Sequence, residues 1–207
     1  MTFVIVAGAI AGVIALLQLG RMSRGDHIRE ANLERVKARL ADAVATELRD
    51  GEVVAVVGIV RCAEPLVAPL SGRPCVAYHA LLHVDVPGTP SHPIERSAVA
   101  AFELEVGAAR HAVEASAFEL AFPLEPVIPN DLARNHAFVE QAKVTRVLKL
   151  GSAYEAIVPV GAAVKVSAMV VHERAPASST TERGYREGAD VIRLVDRAKL
   201  PIVIGPA

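Results

Sequence analysis

Residues 2–19, TFVIVAGAIAGVIALLQL, form an apolar run without a charge, whose polar members are Thr2 and Gln18 at its edges. As a helix it reaches roughly 27 Å, close to the hydrocarbon thickness of a bilayer. A helix also satisfies its own backbone groups in lipid, so the pattern predicts a transmembrane helix over 2–19. From 23 to 50 the pattern becomes amphipathic. Leu33, Val36, Leu40, Val44 and Leu48 recur at three- and four-residue steps among Arg, Lys, Glu and Asp. Ser23 with Asp26 can cap the start and Gly51 can end the run, which predicts a charged stalk helix over 23–50.

After Gly51 the chain turns to Val-rich stretches punctuated by Pro and Gly. Strands are predicted over 53–62, 75–86, 99–106, 111–115, 118–122, 191–195 and 201–205. The stretch 154–171 reads as a short approach, a turn at Pro159 to Gly161 and a strong strand. Within 75–86, alternation places Tyr78, Ala80, Leu82 and Val84 on one face and His79, Leu81, His83 and Asp85 on the other. Residues 65–74, 87–93 and 123–131 read as turns, a loop and a proline-punctuated crossing, and 173–188 as a mobile polar loop. Asn130 or Asp131 can cap a helix from Leu132 to about Leu148, although KVTRVLKL also reads as a strand. Strands outnumber helices after residue 51. The expected fold is a mainly β (α+β) domain over 52–205, barrel-like or a sandwich, with one or two helices.

Charge then orients the anchor. No Lys or Arg precedes Phe3 and no A-x-A site follows the apolar run, unlike a cleaved signal peptide. Arg21, Arg24 and Arg29 lie just beyond it, which places the carboxyl-terminal side in the cytoplasm of a single-pass cell-membrane protein. Gly8 and Gly12 form a small-xxx-small pair through which two helices can approach. A homodimer through that pair, or through the 23–50 helix, is therefore one expectation. The 22 Lys and Arg residues against 23 Asp and Glu leave a net charge of −1, so no basic surface invites nucleic acid. Trp is absent and aromatics make up 4 %, which argues against a stacking platform for bases.

Candidate chemistry is sparse. His79 and His83, helped by Asp85 or His92, have the spacing of a helical zinc pair but lack its Glu. On a strand the same spacing sets the rings roughly 13 Å apart, too far to share a metal. Ser71 lies in PLSGRP, without the G-x-S-x-G elbow of a serine nucleophile. Cys75 follows Arg73 by two residues, and a cation can lower an exposed thiol's pKa, but a Val-rich strand favours a core position. Gly151, Gly161, Gly184 and Gly188 are scattered turn glycines rather than a phosphate loop. Neither catalytic, cofactor-binding nor metal residues are assigned, and no cofactor is expected. The alternatives are an enzyme whose site assembles from distant residues around Cys75 or the histidines, and a self-associating structural membrane subunit that packs through the 23–50 helix.

The stretch VAVVGIVRCAEPLVAPLSGRPCVAYHALL resembles the GIDE-type, or beside-a-membrane (BAM), domain of the mitochondrial E3 ubiquitin ligase family and its prokaryotic relatives. The resemblance rests on a V-x-V-x-G strand, the segment P-L-x-x-P-x-S-G-x-P-C and an aromatic-bearing strand. FELEVGAARHAVEA, YEAIVPVGAAVKVSAMVV, GYREGADVIRLV and KLPIVIG fit the family's later strands, so the likeness covers roughly 52–205. It implies a β domain beside transmembrane helices. The eukaryotic ligases add a zinc-binding RING, which Cys62 and Cys75 alone cannot build, so ligase activity is not expected. Those relatives hold the domain on the non-cytosolic side, the opposite of what the arginines favour. The bias to Ala, Val and Arg over Lys suits a bacterium. The expected function is a non-catalytic, membrane-tethered interaction or sensing module with the bilayer and membrane proteins as partners. Its expected contact surface is the rigid turn bearing Pro69, Ser71, Gly72, Arg73 and Pro74.

Overall fold

The computed structural model describes residues 33–40, 44–45, 47–88, 91–144, 146–174, 190–196 and 200–207. The expected anchor over 2–19, with Gly8 and Gly12, lies outside the described residues, as does most of the polar loop over 173–188. Among the described residues no helix is long and apolar enough to cross a membrane.

The domain is mainly β, as its Val-rich segments predict. A first helix, α1 (33–40), is followed by β1 (Val53–Arg61), the short strands β2 (Leu66–Val67) and β3 (Pro74–Cys75), and β4 (Ala77–Asp85). Next come β5 (His92–Val99), β6 (Phe102–Val106), β7 (Ala109–Glu114), β8 (Phe118–Leu120) and β9 (Glu125–Pro126). A second helix, α2 (Leu132–Gln141), precedes β10 (Lys149–Val158), β11 (Ala163–Arg174), β12 (Asp190–Val195) and β13 (Ile202–Pro206).

The strands β1, β6, β7, β12 and β11 are neighbours in that order, and β11 pairs back onto β1 from Val53↔Met169 to Ile59↔Ala163, which closes a barrel. β12 runs parallel to β7 while the other barrel pairings are antiparallel. Counted along the barrel's own strands, the order is first, second, third, fifth, fourth, the Greek-key order of the OB barrel. Even-numbered β1 positions point inward, so Val56 and Val60 pack with Leu104, Val113, Val166, Val170 and Leu194 in one buried core. His111 shares that inward parity and is buried. β13 and β8 extend the barrel sheet from β11.

A smaller sheet, β5-β4-β10-β9, is inserted between barrel strands. The predicted faces of β4 are observed: Tyr78, Ala80, Leu82 and Val84 are buried in a second core with Phe138 and Val139 of α2. β5 has no counterpart among the predicted strands: Pro93 stands near its start, and Ile94 is buried against Leu82. The strand expected over 99–106 breaks at residues 100–101, where the Ala100 N–H bonds the Val76 carbonyl. The two-residue β9 is too short to carry a periodic pattern and lies within the crossing predicted over 123–131.

Both helices are shorter than expected. α2 starts as predicted, with the Asp131 carboxylate accepting from the N–H groups of Ala133 and Arg134 at 2.9 and 3.3 Å. It ends at Gln141 rather than near Leu148, because Lys143 and Arg146 take φ of 57° and 61°, outside helical space. The stalk predicted over 23–50 is helical at the described residues 33–40 and not at the described residues 44, 45 and 47–50. Val44 instead makes a parallel bridge to Ala55, and Leu48 packs on the barrel core. Val44 and Leu48 fit a helical period, but the backbone bridge at Val44, whose side chain stays exposed, and the packing of Leu48 on the core hold this segment in a non-helical path. α1 itself lies on the domain: Leu40 is buried with Ala121 and Val203, and the Arg39 guanidinium meets Glu119 at 2.7 Å.

Candidate functional site

The turn singled out in the sequence is a short hairpin. β2 and β3 pair through Leu66↔Cys75 and Val67↔Pro74. The Ala68 N–H donates to the Arg73 carbonyl at 2.9 Å, and the Gly72 N–H to the Ala68 carbonyl at 2.8 Å. Gly72 has φ +73°, a conformation that a side chain disfavours, and the Arg134 guanidinium lies across it where a Cβ would stand. Pro69, Ser71 and Gly72 are half-buried, whereas Arg73 and Pro74 are exposed.

Beneath the hairpin stands Glu155 of β10. Its side chain is 6 % exposed, and its carboxylate accepts from Leu70 N–H at 2.7 Å and Ser71 N–H at 3.0 Å. A buried carboxylate is tolerated when such charge-assisted bonds replace water. This anchor fixes the turn to the sheet. A Glu within the apolar AYEAIV stretch was the available sequence signal, since an acid inside a buried strand needs partners.

Cys75 is buried at the hairpin's base. Burial, then the Glu155 carboxylate, push its thiol up to about 11, against smaller opposing effects of the Ala68 backbone and Arg73. At neutral pH it is a protonated core group, which weighs against a nucleophilic role. Cys62 is half-buried, and its thiol donates to the Ala101 carbonyl at 3.5 Å. His79 and His83 share a face of β4 without converging: His79 Nε2 lies 3.6 Å from Glu95, and the His83 ring meets Tyr154 edge-on at 6.1 Å. His92 is exposed. Among the described residues no group of three or more His, Cys, Asp or Glu side chains could hold a metal.

Ser71 and Arg73 open onto a cleft of about 500 Å³ between the hairpin, the end of β10 and the crossing over 122–131. Leu70 and Ile157 of the second core line one part of it, and Phe122, which packs on the barrel core, lines another. The cleft therefore lies at the seam between the two cores. Pro123, Pro126, Pro129 and Pro159 also line it. Proline offers a fixed φ and no N–H, so these walls are stiff and poor in donors. At the rim, Arg134 Nε meets Asp131 at 3.3 Å. Arg73 and Glu125 have no ion-pair partner among the described residues. The sequence thus located the turn but not Glu155, Arg134 or the opposing wall, which approach it only in the folded chain.

The outer face of β6 and β7 corresponds to the surface that OB barrels use for nucleic acid. Here Glu105 pairs with Arg61 at 3.0 Å and Glu103 with Arg110 at 3.4 Å. The Arg61 contact holds the Glu105 carboxyl below the usual carboxylate range. This face is a balanced charge network rather than a phosphate-binding stripe. No protein-family model matches the chain, and neither a curated protein nor a solved structure matches it significantly.

Proposed function

We propose that this chain is a non-catalytic interaction module, anchored by residues 2–19 in the cell membrane, that presents the Pro69–Pro74 hairpin and its cleft to a protein partner beside the bilayer. The observation that carries the reading is the buried Glu155 carboxylate bonded to Leu70 and Ser71 N–H groups. It holds an exposed Arg73 on a rigid turn above a cleft, the preorganised surface that lowers the ordering cost of association. The apolar run over 2–19 and the arginines beyond it support a single-pass anchor with the domain in the cytoplasm. The resemblance to beside-a-membrane domains supports the same placement next to a bilayer. α1 packs Val36 and Leu40 with Ala121 and Val203 of its own domain, which leaves that part of the stalk stripe already occupied and favours a protein partner over stalk-mediated self-association.

Photo-crosslinking tests this in native membranes, with the probe amino acid placed at position 73 or 128 and, as a control, at Ala108 in the turn between β6 and β7. Discrete protein adducts at 73 and 128 and none at 108 are expected. No adduct at 73 or 128, or equal labelling at 108, would overturn the assignment. Protease added to intact cells and to inverted vesicles reads the sidedness: cleavage within the domain only in inverted vesicles is expected.

A further inference from the structure

We infer that the cleft takes an extended peptide segment in which aliphatic or proline residues flank a single acidic residue. The inference rests on the interaction-module reading and adds the chemistry of what is bound. Three features of the cleft select that chemistry.

The first is the floor. Ile157 and Phe122 are half-buried and present apolar surface over the buried Leu70, and Ile128 stands 85 % exposed at the rim. Aliphatic side chains laid there leave water without requiring a polar partner. The second is the poverty of donors. A wall containing Pro123, Pro126, Pro129 and Pro159 supplies ring faces but lacks those four N–H groups. A peptide in extended conformation brings its own N–H donors, whereas a small carboxylate or a fatty acid brings only acceptors and chain. The third is charge. Arg73 is exposed with no ion-pair partner among the described residues, and Arg134 has its Nε on Asp131 and its guanidinium across Gly72. A carboxylate presented to Arg73 gains a charge-assisted, potentially bidentate contact.

The same cleft limits the acid to one. Glu125 and Glu155 are directly opposed across β9 and β10. Glu155 is satisfied by backbone N–H groups, while Glu125 is exposed and without an ion-pair partner among the described residues. Like charges so placed repel further negative charge. A polyacidic segment is therefore disfavoured, and a basic residue is welcome toward the Glu125 end.

The test uses the full chain in detergent micelles and fluorescein-labelled peptides read by anisotropy. The probes are a set of short peptides with one Glu flanked by Val, Leu and Pro in each order, their Glu-to-Lys counterparts, and a tetra-Glu peptide. Saturable binding of at least one mono-acidic peptide is expected, with its Lys counterpart and the tetra-Glu peptide about tenfold weaker. Arg73→Glu should reverse the preference between the Glu and Lys peptides, and Ala108→Ser should leave it unchanged. Unlabelled octanoate should fail to displace the peptide. Equal binding of the Glu and Lys peptides, binding by none of the set, or displacement by octanoate would each overturn the inference. If crosslinks at positions 73 and 128 persist while no peptide binds, the interaction module stands and this ligand chemistry fails.

Discussion

Glu155→Gln isolates the contact that holds the candidate surface together. The carboxylate accepts from Leu70 and Ser71 N–H groups at 2.7 and 3.0 Å while only 6 % exposed. An amide of nearly the same shape can still accept one of these bonds through its oxygen. Its NH2 group then faces the other N–H, donor against donor. Hydrogen bonds to a charged group contribute roughly 1.5–3 kcal/mol, and a buried donor left unsatisfied costs about 1–3 kcal/mol. Removal of the charge also ends its desolvation penalty, which offsets part of the loss. A net destabilisation of about 2–3 kcal/mol is expected, equivalent to a fall in Tm of roughly 4–12 °C for a domain of this size. Scanning calorimetry of the full chain in micelles reads the total. Amide hydrogen exchange by mass spectrometry reads its location: the hairpin peptide containing Leu70 and Ser71 should lose protection first, while β11 keeps its protection until global unfolding. A change in Tm below about 1 °C with unaltered exchange at the hairpin would refute the claim that Glu155 anchors the turn.

The seat of α1 and the barrel histidine can be tested in the same way. A Cβ added at Gly205 would stand 2.3 Å from Leu40 Cδ1 and 3.0 Å from Ala121 Cβ, so Gly205→Val must displace the Leu40 side chain from its seat. A cost of about 1–3 kcal/mol is expected, with faster tryptic cleavage after Arg39; cleavage at the wild-type rate would contradict the docked helix. His111 is buried with its Nδ1 unpartnered among the described residues, and burial lowers its pKa from the ordinary value near 6.5. The unfolded chain then binds more protons between the folded and unfolded values, so stability is full above about pH 6.5 and falls as the pH drops toward the depressed folded value. His111→Leu should flatten that slope in urea midpoints measured from pH 7.5 to 5, and an identical slope in both proteins would remove His111 as its source.

Local chemistry made much of this chain legible in its sequence. The β class follows from Val-rich runs between Pro and Gly, and the alternation of Tyr78, Ala80, Leu82 and Val84 named a core face correctly because strand parity is local. Asp131 announced the start of α2 because a cap acts within three residues. The closure of β11 onto β1, the parallel pairing of β12 with β7, and the fate of Val44 and Leu48 were decided by tertiary structure. A helical period does not say whether a backbone bridge to β1 will take the same segment out of the helix. The candidate surface divides along the same line. Pro69 to Pro74 reads as a rigid turn from proline and glycine alone, but Glu155 stands 84 residues beyond Ser71. Its two hydrogen bonds, and the cleft they help frame, exist only once folding has closed that loop.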